Sequence, residues 1–387
     1  MVNAAPGVET TVAANSQPGP VQTADLEYQE VNYSFVRCNV TIVAQSVPFP
    51  KEPAFGPDKI IRGTLQLGGA SNSIAFAWNR TAGKLHLDLN RNLDLTDDPA
   101  GVFGCPEKNY SRNYQTFTNI HLSFKTPAGS RQVLADLEFW DYGSRPNCTA
   151  AMRSYWQGRV VLQGVEWQAG VVVENLFDKA GFPEGSYLLL RPWTDRNKSF
   201  SISSGSLDAF PFPRKLFVQN HAWQLDCTSE SPGAGSKLEL KFTGQEPVLG
   251  ELKITGDFIQ RVILNRGPYL VVLDQPGPTV KIPTGRYNQP GVSLKKGDVE
   301  AYRETRYPQL EKWIAVDEKK TVVLAAGGPL TNSVSLGRHG KYLRFNYQLL
   351  GAGGDVYQLA RVDRSRPPEF AVYRGDRKIA SGKFEFG

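Results

Sequence analysis

The chain has 387 residues, 40% of them hydrophobic, 21% charged and 11% aromatic, with a formal net charge of +6. A length of this order favours two or three domains over one, and this much apolar mass builds real cores, which excludes wholesale disorder, collagen and coiled coil. The longest apolar runs, such as Val322–Ala326, fall far short of the ~20 residues a membrane helix needs, so no membrane span is expected.

In chain order, residues 1–24 read as a flexible tail, rich in small residues and Pro. No Lys or Arg precedes Arg37 and there is no apolar h-region, so the start is not a signal peptide; it looks like the beginning of a mature exported chain. Residues 25–228 form a β-rich first domain of short runs, alternating or enriched in β-branched and aromatic residues: Asn39–Ala44, Gly63–Leu67, Ile74–Trp78, Lys84–Leu89, Ile120–Phe124, Val133–Trp140, Gly158–Leu162, Val165–Glu174, Ser186–Leu190, Lys215–Val218 and Ala222–Asp226. A change of composition at 229–236 (SESPGAGS) marks a linker.

A small β module at 237–296 follows, with runs at Lys237–Phe242, Glu251–Thr255, Phe258–Leu264, Tyr269–Leu273 and Thr279–Ile282. The connecting segment 297–319 includes the one stretch with helical character, 297–312, which Pro308 limits. A C-terminal β module at 320–387 has runs at Thr321–Ala325, Ser333–Leu336, Tyr342–Leu349, Val356–Val362, Glu369–Tyr373 and Lys383–Phe386. Short runs at this spacing give the expected fold class: mainly β, a multi-domain β-sandwich with immunoglobulin-like or prealbumin-like C-terminal modules.

Four cysteines, Cys38, Cys105, Cys148 and Cys227, form no C-x-x-C pair, which disfavours a zinc ribbon or a thioredoxin-type site. An even number confined to the first domain fits two disulfides in an exported protein; four reduced thiols in a cytosolic one is the alternative. Extracellular, cell-surface or periplasmic localisation is therefore expected. Six sequons, at Asn32, Asn39, Asn79, Asn109, Asn147 and Asn197, matter only in a glycosylating host. The basic residues are scattered, densest at Lys295, Lys296, Arg303, Arg306, Lys312, Lys319 and Lys320, and no nucleic-acid module accompanies them, so no nucleic-acid partner is expected.

One loop carries chemistry. Asp88-Leu-Asn90-Arg-Asn92-Leu-Asp94-Leu-Thr96-Asp97-Asp98 sets oxygen ligands at alternate positions, and calcium takes six to eight hard oxygens. Asp88, Asn90, Asn92, Asp94 and Asp98 are the candidate ligands; an Asn/Asp-rich turn capping its own backbone is the alternative. The loop resembles those of dockerins and EF-hands, with Leu93 at the sharp-turn glycine position and Pro99 at that of the bidentate Glu. Its strand-like flanks make the chain similar to uncharacterised exported bacterial β-sandwich proteins, a resemblance that implies compartment and fold class and no activity. A second loop, Asp195-Arg-Asn197-Lys-Ser199, repeats the spacing but is cationic and reads as a polar turn, with Glu174, Asn175 and Asp178 as the acids and amide that the fold could bring near it.

No nucleophile elbow, Walker loop, dinucleotide fingerprint or His-Glu-x-x-His is present, and the four histidines are dispersed. Glu138 and Asp141 beside Trp140, or Glu166 and Glu174 beside Trp167, are the carboxylate pairs that a glycan-processing site could use. The reading favours a non-catalytic surface, binding or assembly protein with a calcium-stabilised loop. Its alternative is carbohydrate binding or processing on Trp-rich faces, Trp140 and Trp193 foremost. Self-assembly through edge strands is a third possibility for partners, by way of the N-terminal tail or the terminal strand Lys383–Phe386.

Overall fold

The strand Ile74–Asn79 (IAFAWN) is buried at all six positions. Its two faces serve different cores: Ile74, Phe76 and Trp78 enter the largest one, while Ala75 and Ala77 join a small one with Phe49 and Leu95. A strand sandwiched in this way reads as a continuous apolar run rather than an alternation.

The computed structural model describes residues 19–67, 72–106, 111, 113–126, 129–143, 145–173, 185–200, 202, 207–229, 237–303, 313–360 and 367–384. Among them the fold is mainly β, with strands in sheets of sixteen, eight, three and two, short 3-10 turns and no α-helix. Among the described residues no helix is long and apolar enough to cross a membrane. Nearly all pairing is antiparallel; Lys215–Val218 beside Leu270–Asp274 and Leu249–Thr255 beside Val322–Ala325 are parallel.

Two strands change partner along their length and so tie the sheets together. Val21–Glu30 pairs with Leu238–Gln245 through its first half and with Ser154–Leu162 through its second. Val36–Gln45 pairs first with Asn147–Met152 and then with Ile60–Gln66. The expected tail therefore ends earlier than composition indicated: Val21–Ala24 already lie on the ladder and Ala24 is buried. Small residues are compatible with close strand approach, which composition cannot distinguish from a loose end.

Most of the expected runs coincide with strands. The last one does not: the final strand is Arg377–Lys383, which pairs with Glu369–Arg374, while Glu385 and Phe386 lie outside the described residues. The segment with helical character holds the strand Val299–Arg303, paired with Gly285–Lys296, and Pro308 lies outside the described residues. Residues 230–236 of the expected linker are also outside them. The strands on either side, His221–Ser229 and Leu238–Gln245, pair with each other, and Leu238, Leu240 and Phe242 belong to the largest core.

That core runs from Ala24 to Val272 and takes in Trp78, Trp156, Trp167 and Trp223. A second core, from Phe217 to Tyr357, is centred on Tyr287 and the Val262, Leu264, Val271 and Val292 side chains. An ion network joins residues of strands that feed the two cores, with both arginines buried. Arg261 reaches Asp274, Asp208 and the Leu207 carbonyl, and Arg191 stands 3.8 Å from Asp208.

No disulfide is formed among the four cysteines. Cys38 lies opposite Ala150 and Cys148 opposite Val40, so the two thiols are diagonal neighbours on one face. Such diagonals span ~7–8 Å, beyond the usual reach of a disulfide. Burial pushes the Cys148 thiol well above the ordinary range. Cys38 and Cys148 are core side chains here.

Candidate functional site

The acidic loop begins where the strand Lys84–Leu87 leaves its partner Ile74–Asn79; the Asp88 N–H still donates to the Ala75 carbonyl at 2.9 Å. Asp88 is buried, and its two carboxylate oxygens accept from the Asn92 and Leu93 N–H groups, both at 3.0 Å. The Asn90 amide oxygen accepts from the Asn92 N–H and the Asn92 amide oxygen from the Asp94 N–H. These bonds wind the chain tightly, and Arg91 and Leu93 both take left-handed backbone angles, φ 63° and 64°. Leu93 therefore makes a sharp turn of the kind that glycine usually provides.

Asp94 is held differently. Lys51 pairs with it at 2.8 Å, Thr96 donates through both its backbone and hydroxyl groups, and the backbones of residues 51 and 94 form a parallel bridge. The Lys51 ammonium and the Thr96 donors lower the Asp94 carboxyl to about 2. Leu95 next to it plugs the small core below. Asp97 receives the side-chain amides of Asn90 (3.2 Å) and Asn92 (2.6 Å), and the Asp98 carboxylate stands 3.5 Å from the Asn90 N–H. Burial raises the Asp98 carboxyl above its ordinary value, with the Asp97 and Asp88 charges adding to the effect.

By donor type the loop suits a hard cation: Asp88, Asn90, Asn92, Asp97 and Asp98 bring only oxygens and amides into one short segment. Its present bonding is internal. The Asp88, Asn90 and Asn92 side-chain oxygens each accept a backbone N–H, and Lys51 occupies Asp94. Among the described residues no three His, Cys, Asp or Glu side chains are grouped to hold a metal ion.

The second loop is filled by the protein itself. Arg191, 1% exposed, donates to the carbonyls of Arg196 and Lys198 at 3.0 and 2.7 Å, and Lys198 pairs with Asp195. A guanidinium thus satisfies the carbonyls that a metal would need. Glu174, Asn175 and Asp178 lie outside the described residues.

Of the expected aromatic platform residues, Trp140 closes the strand Gly129–Trp140, half-buried. Trp193, also half-buried, begins a 3-10 turn and walls a surface cleft of about 280 Å³. Asp25, Glu27 and Gln29 line it from alternate positions of one strand, with Gln157 and Arg159 from the next. Gly158 also lines it; a Cβ there would stand 2.1 Å from the Asp25 carbonyl oxygen, so only glycine permits this strand spacing. The guanidiniums of Arg159 and Arg196 approach the Trp193 ring at 5.7 and 5.1 Å.

Of the four carboxylates considered for glycan processing, three are paired with an arginine: Glu138 with Arg37, Asp141 with Arg80 and Glu166 with Arg159. Glu174 lies outside the described residues, and Trp167 is buried in the core. Sequence reasoning missed the network of Arg191, Asp208, Arg261 and Asp274. Its signal was present, a lone arginine inside each of the apolar runs SYLLLRP and IQRVILN.

Comparisons of the chain with protein-family models, with curated proteins and with solved structures return no match.

Proposed function

We propose that this chain is an exported, non-catalytic surface, binding or assembly protein in which calcium rigidifies the loop 88–98. Its C-terminal strands are read as immunoglobulin-like or prealbumin-like modules. The observation that carries the calcium reading is the left-handed Leu93 at the sharp turn, with both Asp88 oxygens on the N–H groups that shape it. That backbone is what an alternating oxygen loop needs to curl around one ion. Asp88, Asn90, Asn92 and Asp98 would hold it, Asp97 standing against the two amides and Asp94 anchoring the loop through Lys51. The ion's part is structural: it offsets the repulsion of neighbouring carboxylates.

Thermal unfolding in EDTA and in millimolar calcium tests this. Calcium at ~100 times its dissociation constant stabilises the native state by roughly 2.7 kcal/mol, a rise of about 5–10 °C for a core of this size. Asp88→Ala is expected to abolish the rise. Equal melting temperatures in the two conditions would assign the loop to self-capping alone.

A second reading, carbohydrate recognition, is favoured by the cleft at Trp193, where an aromatic wall meets two carboxylates and two amides. A sugar ring stacks on an aromatic face while such groups take its hydroxyls. Glycan-array binding that Trp193→Ala removes and Trp140→Ala leaves intact would support this cleft. An array with no bound polysaccharide would eliminate it.

A further inference from the structure

The net charge is concentrated in one part of the chain. Residues 331–384 contain ten Lys and Arg against four Asp and Glu, so they carry the whole of the +6, and the rest of the chain is balanced at thirty-four of each sign. Those residues include two hairpins. In the first, Thr331–His339 pairs with Tyr342–Leu350 around Gly340; in the second, Glu369–Arg374 pairs with Arg377–Lys383 around Gly375.

The two turns point the same way. Phe345, five residues past Gly340, stacks on Phe370, five residues before Gly375, at 4.8 Å. Farther from the turns, Tyr347 meets Phe384 at 5.3 Å. The contacts thus run in step away from both turns, and the two tips share one end of the module. At that end Tyr342 and Tyr373 are 67% and 60% exposed, and Leu336, Leu343 and Ile379 are more than half exposed. The same two hairpins carry Arg338, Lys341, Arg344, Arg374, Arg377 and Lys378 near their turns against one acid there, Asp376, and none of these cations is ion-paired with a described residue.

Scattered exposed apolar side chains need no explanation, but tyrosines and aliphatics grouped at the cationic turns of two hairpins do. We propose that the paired hairpin tips dock on an anionic phospholipid bilayer, with the cations on the headgroups and Tyr342, Tyr373, Leu343 and Ile379 entering the interface. Tyrosine is suited to that depth, and each Lys or Arg near an anionic surface strengthens binding about fivefold. Nucleic acid offers the same charge but no use for Leu336, Leu343 and Ile379, which is why the lipid surface is favoured over it. The inference does not depend on the calcium loop or the Trp193 cleft.

The test is flotation of the full chain, in EDTA, with vesicles of phosphatidylcholine alone or with added phosphatidylglycerol. Binding to the anionic vesicles only, weakened by salt, is expected. The pair Arg377→Gln and Lys378→Gln should weaken partitioning by about 25-fold. The pair Tyr342→Ser and Tyr373→Ser should weaken it with the charge unchanged. All four positions are exposed, so the variants should keep the wild-type melting temperature. A control pair, Lys295→Gln and Lys296→Gln, should leave partitioning as it is. No flotation with the anionic vesicles would overturn the proposal. So would binding that the tyrosine pair does not alter, or that the control pair reduces equally, since either result means general attraction to polyanions.

Discussion

Arg261→Ala is expected to destabilise the protein by about 2–3 kcal/mol, the loss of charge-assisted hydrogen bonds to carboxylates that keep some access to water. The Arg261 side chain is almost wholly buried and bonds to Asp274, Asp208 and the Leu207 carbonyl. Arg191 compensates only in part, because its Nη1 stands 3.8 Å from Asp208, beyond hydrogen-bond distance, and its other nitrogens are committed to Gln168 and two carbonyls. Burial already raises the Asp208 carboxyl above its ordinary value, against the pull of both arginines. In the variant that upward shift grows. A carboxyl raised in the folded state favours folding below its unfolded pKa and loses that contribution as pH rises through the folded one. The deficit relative to wild type should therefore shrink on acidification toward about pH 4. Urea unfolding at several pH values measures both effects. A deficit under ~1 kcal/mol at neutral pH would mean that the network is not energetically coupled.

Trp78→Ala should cost about 3–5 kcal/mol, the range for deleting a large buried aromatic. Trp78 is fully buried against Phe139 at 5.3 Å, and its indole N–H donates to the Gln115 side chain at 2.7 Å. Gln115 is itself buried and donates to the Arg80 carbonyl. Gln115→Leu removes the indole's acceptor and should cost about 1–3 kcal/mol. Trp193→Ala, at a half-buried wall of the cleft, should change stability far less. Denaturant midpoints of the three variants, compared at unchanged slope, separate core tryptophan from surface tryptophan. Equal losses for Trp78→Ala and Trp193→Ala would contradict that division.

The cleft and the hairpin tips differ in how far they could be read in advance. At the cleft, Asp25, Glu27 and Gln29 are an ordinary polar alternation until Gly158 brings the next strand within a backbone's width and the turn at Trp193 closes one side. No local pattern announces that convergence. The basic segment was legible by count, because charge segregation needs no coordinates. What the count lacked was direction: stacking of Phe345 on Phe370 is what places both turns at one end.

Local chemistry alone established most strand positions, because β-branched and aromatic residues at period two fit only a pleated ladder with one covered face. It also established the winding of the loop 88–98, whose Asp and Asn side chains reach their own backbone within five residues. Tertiary structure decided everything that joins residues far apart in the chain. It placed Val21–Glu30 on two partners, set Cys38 diagonal to Cys148, filled the second loop with Arg191 and gave Asp208 its two arginines. The reason is physical: pairing across a sheet and burial of charge depend on long-range closure, whose free energy no local window contains.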